Sequence, residues 1–507
     1  MIAPGIQQVT TQAPDKIERL VKRWHPAGLL PMLLPLLLPL LLYMATLAPT
    51  IYNLDSAELT TAVATGGIIR ATGYPLYLVL GRAWTLLPVG DVGYRMNLLS
   101  AMCGALTILL ADRILRRLNV GPWARLGALG LLATAPYFWG LSLIAEVYTL
   151  HTALMAGVIL ALLRWGERPT PGRVALPVFL MTLSMGNHAA TILLVPACIW
   201  TVLVTQPAVL RQPRTWLAGG LAGLAGASVF LYLPLVYAAQ PTFNYAGTFD
   251  AAGVFHPVNL HTVDGLLWLI TGRTFAGQMF GYGWPEAGPE FASYGRQLFT
   301  AFLAVGIGPA VVGLLHLGRR DWRVSGMFVL MFATNAIFYI NYRVVDKDTM
   351  FLPTYLIWAL WLGVGYQLLL DWLRTGREAQ RAVWLLRGVM VLAVLAALVW
   401  NWSRVDLSSD YSTRQQSAEI LRLAEPDAIV LGWWETVPGV QYLQLVEGIR
   451  PDVLAINRFL ISGDDMLALI KSQAGQRPIY INNPPLELIQ TMDVTQVGSL
   501  YRLEPRR

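Results

Sequence analysis

Charge is what this sequence has least of. Of 507 residues, 13% are Asp, Glu, Lys or Arg and 55% are hydrophobic, whereas a soluble domain carries about 25% charged residues. That deficit excludes an ordinary soluble chain and points to a polytopic membrane protein. Cysteine is almost missing. Cys103 and Cys198 both lie in apolar segments, which excludes a disulfide framework and a cysteine-built metal site. No Walker A sequence and no HExxH pair occurs. Charged residues are nearly missing from the middle of the apolar runs, with Asp112 and Asp371 near their ends; ion-coupled carriers usually place such groups at mid-membrane. The net charge of +7 is spread in small clusters between apolar runs, as membrane topology distributes it, so nucleic acid is not an expected partner.

What is present is a series of apolar runs. They predict about eleven spans, near 29–49, 92–112, 126–143, 147–163, 174–187, 189–205, 216–237, 298–317, 324–341, 351–370 and 388–402. Gly186-Asn187-His188 interrupts the fifth and sixth. With the basic segment 1–25 in the cytoplasm, the inner segments hold 20 Lys and Arg and the outer connections 7, which fixes the expected orientation. Two outer loops are long, 50–91 and 238–297. The first carries two semi-apolar stretches, too short to span, that should lie along the outer interface. The second is rich in Gly, Pro and aromatics, including Phe280, Tyr282 and Trp284, which suit an interface and also sugar stacking. Residues 26–402 thus form a transmembrane domain. After Trp402 the composition turns acidic, with 13 Asp and Glu against 10 Lys and Arg in 403–507. Strands are expected at 428–432, 452–457 and 477–483 and a helix at 435–448. This reads as a small extracytoplasmic α/β domain.

The residues that could carry chemistry gather on the outer side. "APTIYNLDSAELTTAVATGG", residues 48–67, places Asp55 and Glu58 just after the first span. An Asp followed three residues later by Glu fits a capping box. The same spacing puts both carboxylates on one helix face, where partial burial can tune a base. The two roles are compatible. Glu146 falls at the outer turn between spans three and four, His188 at the break between spans five and six, and Arg343, Asp346, Lys347 and Asp348 at the outer end of span nine. Each alone suits a structural polar contact or a solvated salt-bridge turn. Together, carboxylates with Arg343 and Lys347 suit a phosphate-bearing ligand. The oxygens of Asp55, Glu58 and Glu146 would also suit a divalent metal, which the sequence does not require.

The ordered set "DSAEL", "TGYPLYLVLG", "RMNLLSAMCGALT", "AEVYTL", "GNHAA", "DKDTMFLPTYL" and "EPDAIVLGWWETVPGVQYLQLVEGIRPDV" resembles membrane glycosyltransferases of the GT-C superfamily. More narrowly, it resembles a bacterial multispanning family related to a vertebrate transmembrane protein O-mannosyltransferase. The resemblance implies a polyprenyl-phosphate-linked sugar donor and transfer to a hydroxyl of a protein, glycan or lipid, on the outer face of a bacterial inner membrane. It implies Asp55 as the catalytic carboxylate, with Glu58 supporting it or contacting acceptor, and it places Tyr74 in a matching motif. Arg343 and Lys347, by charge and side, are candidates for the donor phosphate. Where the family often carries His-Pro, this chain has Arg70-Ala71, and Arg70 is a further candidate for phosphate. One base and one leaving phosphate suit inversion; double displacement would need a second carboxylate, such as Glu58 or Glu146. A carrier or flippase of lipid-linked glycans, or a non-catalytic glycan-binding scaffold, are the competing readings.

Overall fold

A computed structural model describes residues 26–374 and 379–506. The expected cytoplasmic segment 1–25 and Arg377 lie outside the described residues. The chain opens on α1 (Pro26–Ala45), whose interior prolines are of the kind that helices in lipid tolerate. Two helices of the first long loop follow, α2 (Ser56–Thr65) and α3 (Pro75–Trp84). Among the described residues six helices are long and apolar enough to cross a membrane, by length and composition. They are α4 (Val92–Arg117), α5 (Tyr148–Glu167), α6 (Pro213–Ala238), α7 (Trp322–Ile340), α8 (Lys347–Leu373) and α9 (Ala379–Val405). Met32–Ala45, Pro171–Met185 and Ala189–Thr205 are shorter apolar helices.

Several of the expected eleven spans are therefore shorter or broken, for local reasons. The run at 126–143 stops at Ala133 and restarts at Pro136. Ala135, held extended ahead of that proline, cannot continue the helix. The run at 298–317 is split between Trp284–Ala301 and Ile307–Arg320, with Leu303 and Ala304 at positive φ between them. In the second piece Gly313 meets the α8 backbone: a Cβ there would lie 1.9 Å from the Trp361 carbonyl oxygen. Such small-residue contacts let helices approach closely where no hydrophobic effect drives them together.

The second long loop carries a short antiparallel pair, β1 (Gly247–Phe249) and β2 (Phe255–Pro257), and residues 412–505 build helices around a five-stranded sheet of β3 (Ile429–Gly432), β4 (Leu454–Asn457), β5 (Ile479–Ile481), β6 (Met492–Val497) and β7 (Leu500–Pro505), in the order β4-β3-β5-β7-β6. The expected strands are present as β3 (Ile429–Gly432), β4 (Leu454–Asn457) and β5 (Ile479–Ile481), all parallel. The expected helix is α10 (Val437–Leu445). The hairpin β6 (Met492–Val497) and β7 (Leu500–Pro505) adds an antiparallel edge. All four residues of β3 are buried, as a strand covered on both faces requires. One of those faces packs Val430, Ala455 and Tyr480 with Val437 and Val440 of α10, and with Ile51 and Ala57 of the first long loop.

That packing corrects one expectation. The first semi-apolar stretch does not lie along an interface: every residue from Ser56 to Val63 of α2 is buried, because the C-terminal sheet unit closes over it. The second stretch, α3, buries Leu76, Tyr77 and Leu78 and exposes Val79 and Leu80, the two-faced pattern of an interfacial helix. Just past α2, the second long loop pairs with the first. Ile68 N–H donates to the Phe243 carbonyl at 3.0 Å and Tyr245 N–H to the Ile68 carbonyl at 2.9 Å. Gly67 permits this, since a Cβ there would stand 2.6 Å from the Phe243 oxygen.

Candidate active site

Asp55 precedes α2 at its N-cap position, yet its side chain makes no capping hydrogen bond. The capping box does not form because both acids turn to Arg70 instead. Arg70 donates from Nη2 to Asp55 Oδ1 and from Nη1 to Glu58 Oε2. Its backbone N–H donates to the other Glu58 oxygen at 3.3 Å. Asp55, Glu58 and Arg70 are 6%, 2% and 7% exposed. A buried charge is tolerated only when paired and hydrogen-bonded. The residue that departs from the resembling family's pattern is thus the one that pairs with both acids. Burial pushes the Glu58 carboxyl up to about 7, against the opposing pull of Arg70.

A third acid supports the pair from behind. Glu146 Oε1 accepts from the Asp55 N–H at 3.2 Å. Its other oxygen is buried and unpartnered among the described residues. Burial and the Asp55 charge hold its carboxyl well above the usual range, which suits a neutral acid.

A cavity of about 680 Å³ opens in front of this cluster. Of the residues singled out in the sequence, Asp55, Arg70, Tyr74, His188, Arg343 and Asp346 line it. Asp55 Oδ2 carries no hydrogen bond among the described residues, so it is the oxygen available to a ligand. Burial and the Asp55 charge push Asp346 up to about 6. Tyr74, at φ +37, sits in a backbone region that favours glycine, and its ring lies 5.9 Å from that of His188. His188 Nδ1 accepts from the Ala190 N–H. Burial holds the ring down at about 4, so at neutral pH it is uncharged and its proton belongs on Nε2.

Four expected site residues do not line the cavity. Glu58 and Glu146 stand behind Arg70 and Asp55. Lys347 Nζ turns to Glu290, with which it forms a close ion pair, and to the Tyr282 hydroxyl at 3.0 Å. The Asp348 carboxylate accepts from the Tyr137 hydroxyl at 3.3 Å. Adjacent residues on a tight turn point different ways, so the 343–348 run is divided between the cavity and its flank. Arg343 stays at the cavity, exposed, with Glu286 at 3.5 Å. For a divalent metal, no group of three or more His, Cys, Asp or Glu is gathered among the described residues. Asp55 and Glu58 direct oxygens to Arg70, where such a cation would have to compete.

The sequence reading missed the other wall. Trp433, Trp434, Glu435 and Phe459 line the cavity, and the Arg70 guanidinium lies 3.7 Å from the Trp434 ring centroid. These residues directly follow β3 and β4. The carboxyl ends of parallel strands are where open α/β sheets bind ligands. Two adjacent tryptophans after a buried strand were the available signal. Apolar groups complete the lining, including Ile192, Leu193, Phe338 and Met350. Ile192 is 52% exposed, so the cavity reaches the outer surface of the helical bundle.

Residues 55–211 match the Protein O-mannosyl-transferase TMEM260 N-terminal domain, which bears out the family resemblance over that segment. The chain is 30% identical over 203 residues to Protein O-mannosyl-transferase TMEM260 of Mus musculus, covering 38% of this chain and 28% of that protein. It is 21% identical over 510 residues to Protein O-mannosyl-transferase tmem260 of Dictyostelium discoideum, covering 90% of this chain and 60% of that protein. The chain therefore spans less than two thirds of these relatives. In fold it is similar to ArnT from Cupriavidus metallidurans bound to undecaprenyl phosphate, with TM-score 0.61, 13% identity and coverage of 94% of this chain and 98% of the other. The apo state of the same protein gives TM-score 0.60 at 14% identity, with the same coverage. The likeness to ArnT is one of fold.

Proposed function

We propose that the chain is an integral membrane glycosyltransferase that moves a sugar, with mannose the first candidate, from a polyprenyl-phosphate donor to a hydroxyl acceptor. The observation that carries this reading is the single cavity that joins the Asp55–Arg70 pair, the Arg343 cation and an apolar flank reaching the bundle surface. A lipid-linked sugar phosphate needs all three. The names of the curated relatives support the reaction. The undecaprenyl phosphate bound by the ArnT structure supports the donor.

In the proposed step an acceptor hydroxyl oxygen attacks the anomeric carbon. Asp55 takes the hydroxyl proton on Oδ2 while Arg70 holds Oδ1. The bond from the anomeric carbon to the phosphate oxygen breaks, and its electron pair leaves with the lipid phosphate. Arg343 stabilises the charge that grows there. One base and one leaving phosphate give inversion. Glu58 acts by positioning Arg70, and Glu146 by positioning the Asp55 backbone. His188, neutral, offers an Nε2–H donor to sugar or phosphate. No step requires a metal. By this reading the cavity and the C-terminal sheet unit face the outer side of the membrane, with Lys- and Arg-rich connections inside.

The test is reconstitution of the full chain in liposomes with radiolabelled polyprenyl-phosphate mannose and glucose. Release of sugar to water or to an added hydroxyl acceptor supports the enzyme. Movement of intact donor between leaflets with no cleavage would instead favour a flippase.

A further inference from the structure

We propose that a second cavity, an open pocket between the second long loop and α10, is a binding subsite for a neutral saccharide on the acceptor. This rests on the transferase reading above. The cavity is about 500 Å³, within the range of small-molecule sites. None of its lining residues is Asp, Glu, Lys or Arg. Aromatic groups line it, among them Tyr237, Phe249 and Phe255, together with the amides of Gln240, Asn244 and Gln441. Flat aromatic faces meet the C–H face of a pyranose, and amides exchange hydrogen bonds with its hydroxyls in both directions. An anion or a cation would find no counter-charge.

The polar groups are partly prearranged. The Tyr245 hydroxyl donates to Gln441 Oε1, while Gln441 Nε2 donates to the Ala455 carbonyl at 3.0 Å. This locks the floor. Asn244 Oδ1 accepts from the Ala246 N–H at 2.8 Å, leaving its amide N–H groups unused among the described residues. Gln240 and the His261 ring likewise make no side-chain hydrogen bond there, although His261 packs edge-on against Tyr237 at 5.1 Å. Backbone pairing already takes up part of the main chain around the cavity. Asn244 bridges Ile68, β1 (Gly247–Phe249) pairs β2 (Phe255–Pro257), and Phe249 bridges Ile461. The aromatic faces and unused side-chain amides suit a sugar.

The location fits an acceptor rather than a remote site. Phe243 and Tyr245 pair with Ile68, two residues before Arg70. Tyr245 is near enough to Glu58 that this charge, added to burial, raises its hydroxyl. The 68–70 segment thus links the two sites: Ile68 pairs with Phe243 and Tyr245 of the second cavity, and Arg70 lines the first.

Saturation-transfer NMR on the full-length reconstituted protein tests this, with methyl α-mannopyranoside, methyl β-glucopyranoside and an uncharged Ser/Thr-containing hexapeptide as probes. The expected result is transfer to the pyranose ring protons of at least one glycoside. That signal falls at least fivefold in Phe255→Ala and in the exposed-site variant Gln240→Ala, and persists in Asp55→Asn. Gln240→Ala keeps the test valid if Phe255→Ala misfolds. Glycoside binding that is unaffected by both variants, or peptide binding lost in both, would overturn the saccharide subsite. Donor cleavage by wild type, measured in parallel, separates the outcomes: its absence indicts the transferase reading, and its presence without glycoside binding indicts only this one.

Discussion

The first long loop and the 343–348 turn look alike in sequence, each a short run crowded with charge. The fold treats them oppositely. In the first loop Asp55, Glu58 and Arg70 are all less than a tenth exposed and locked to one another. In the turn the charges part company: Arg343 and Asp346 face the cavity, while Lys347 and Asp348 are spent on Glu290 and Tyr137. The difference comes from what covers each segment. The C-terminal sheet unit seals the first loop, so its charges must satisfy one another. The turn is half-buried at the cavity's edge, and its charges find separate partners.

The largest effect that would break this contrast is on stability. Arg70→Ala strands two buried carboxylates and should cost about 3–5 kcal/mol. Lys347→Ala should cost about 1 kcal/mol or less, as a partly exposed pair does. Denaturant unfolding of the two variants in detergent measures both, and equal costs would erase the contrast. Next is donor binding. A hydrogen bond to a charged group contributes about 1.5–3 kcal/mol, so Arg343→Ala should raise the donor KM about 10- to 100-fold. Lys347→Ala should change it less than about threefold, because Nζ is turned away. A larger effect for Lys347 would mean that the turn rearranges around the donor. Third, Trp434→Ala removes a cation–π contact worth about 0.5–2 kcal/mol, which predicts a fall in kcat/KM of about 2- to 30-fold. Loss through Trp434 would show that the C-terminal unit serves the cavity directly.

The smallest predicted effect is on pH dependence. With its carboxyl pushed up to about 6, Asp346 is neutral below that pH and negative above it. The donor phosphate is anionic, so it should bind more tightly on the acid side. Donor KM should rise roughly three- to tenfold from pH 5 to 7, the order expected for one charge at partial screening. Asp346→Asn should flatten that rise. A profile unchanged by the substitution would separate Asp346 from the phosphate.

The sequence made the helical bundle legible because apolar length and the spacing of basic clusters are local properties. The helix breaks at Ala135 and at Leu303–Ala304 were not read, being set by one proline and by two residues at positive φ. The strands of the C-terminal unit were legible as short apolar runs, whereas β6, with its alternating polar residues, was not. Asp55 was found by its position after the first apolar run. Its use as a cap was open in sequence and is settled in the fold by Arg70, fifteen residues away. Trp434 was missed because its contact with Arg70 joins residues far apart in the chain, which no local pattern encodes.

The most direct test of the central claim is the single-turnover rate of sugar release from polyprenyl-phosphate mannose by Asp55→Asn, compared with wild type in the same liposomes. Loss of a positioned general base predicts a fall of about 10²- to 10⁴-fold, with donor affinity changed far less. A rate within threefold of wild type in a folded Asp55→Asn protein would contradict the account and leave Asp55 as a structural partner of Arg70.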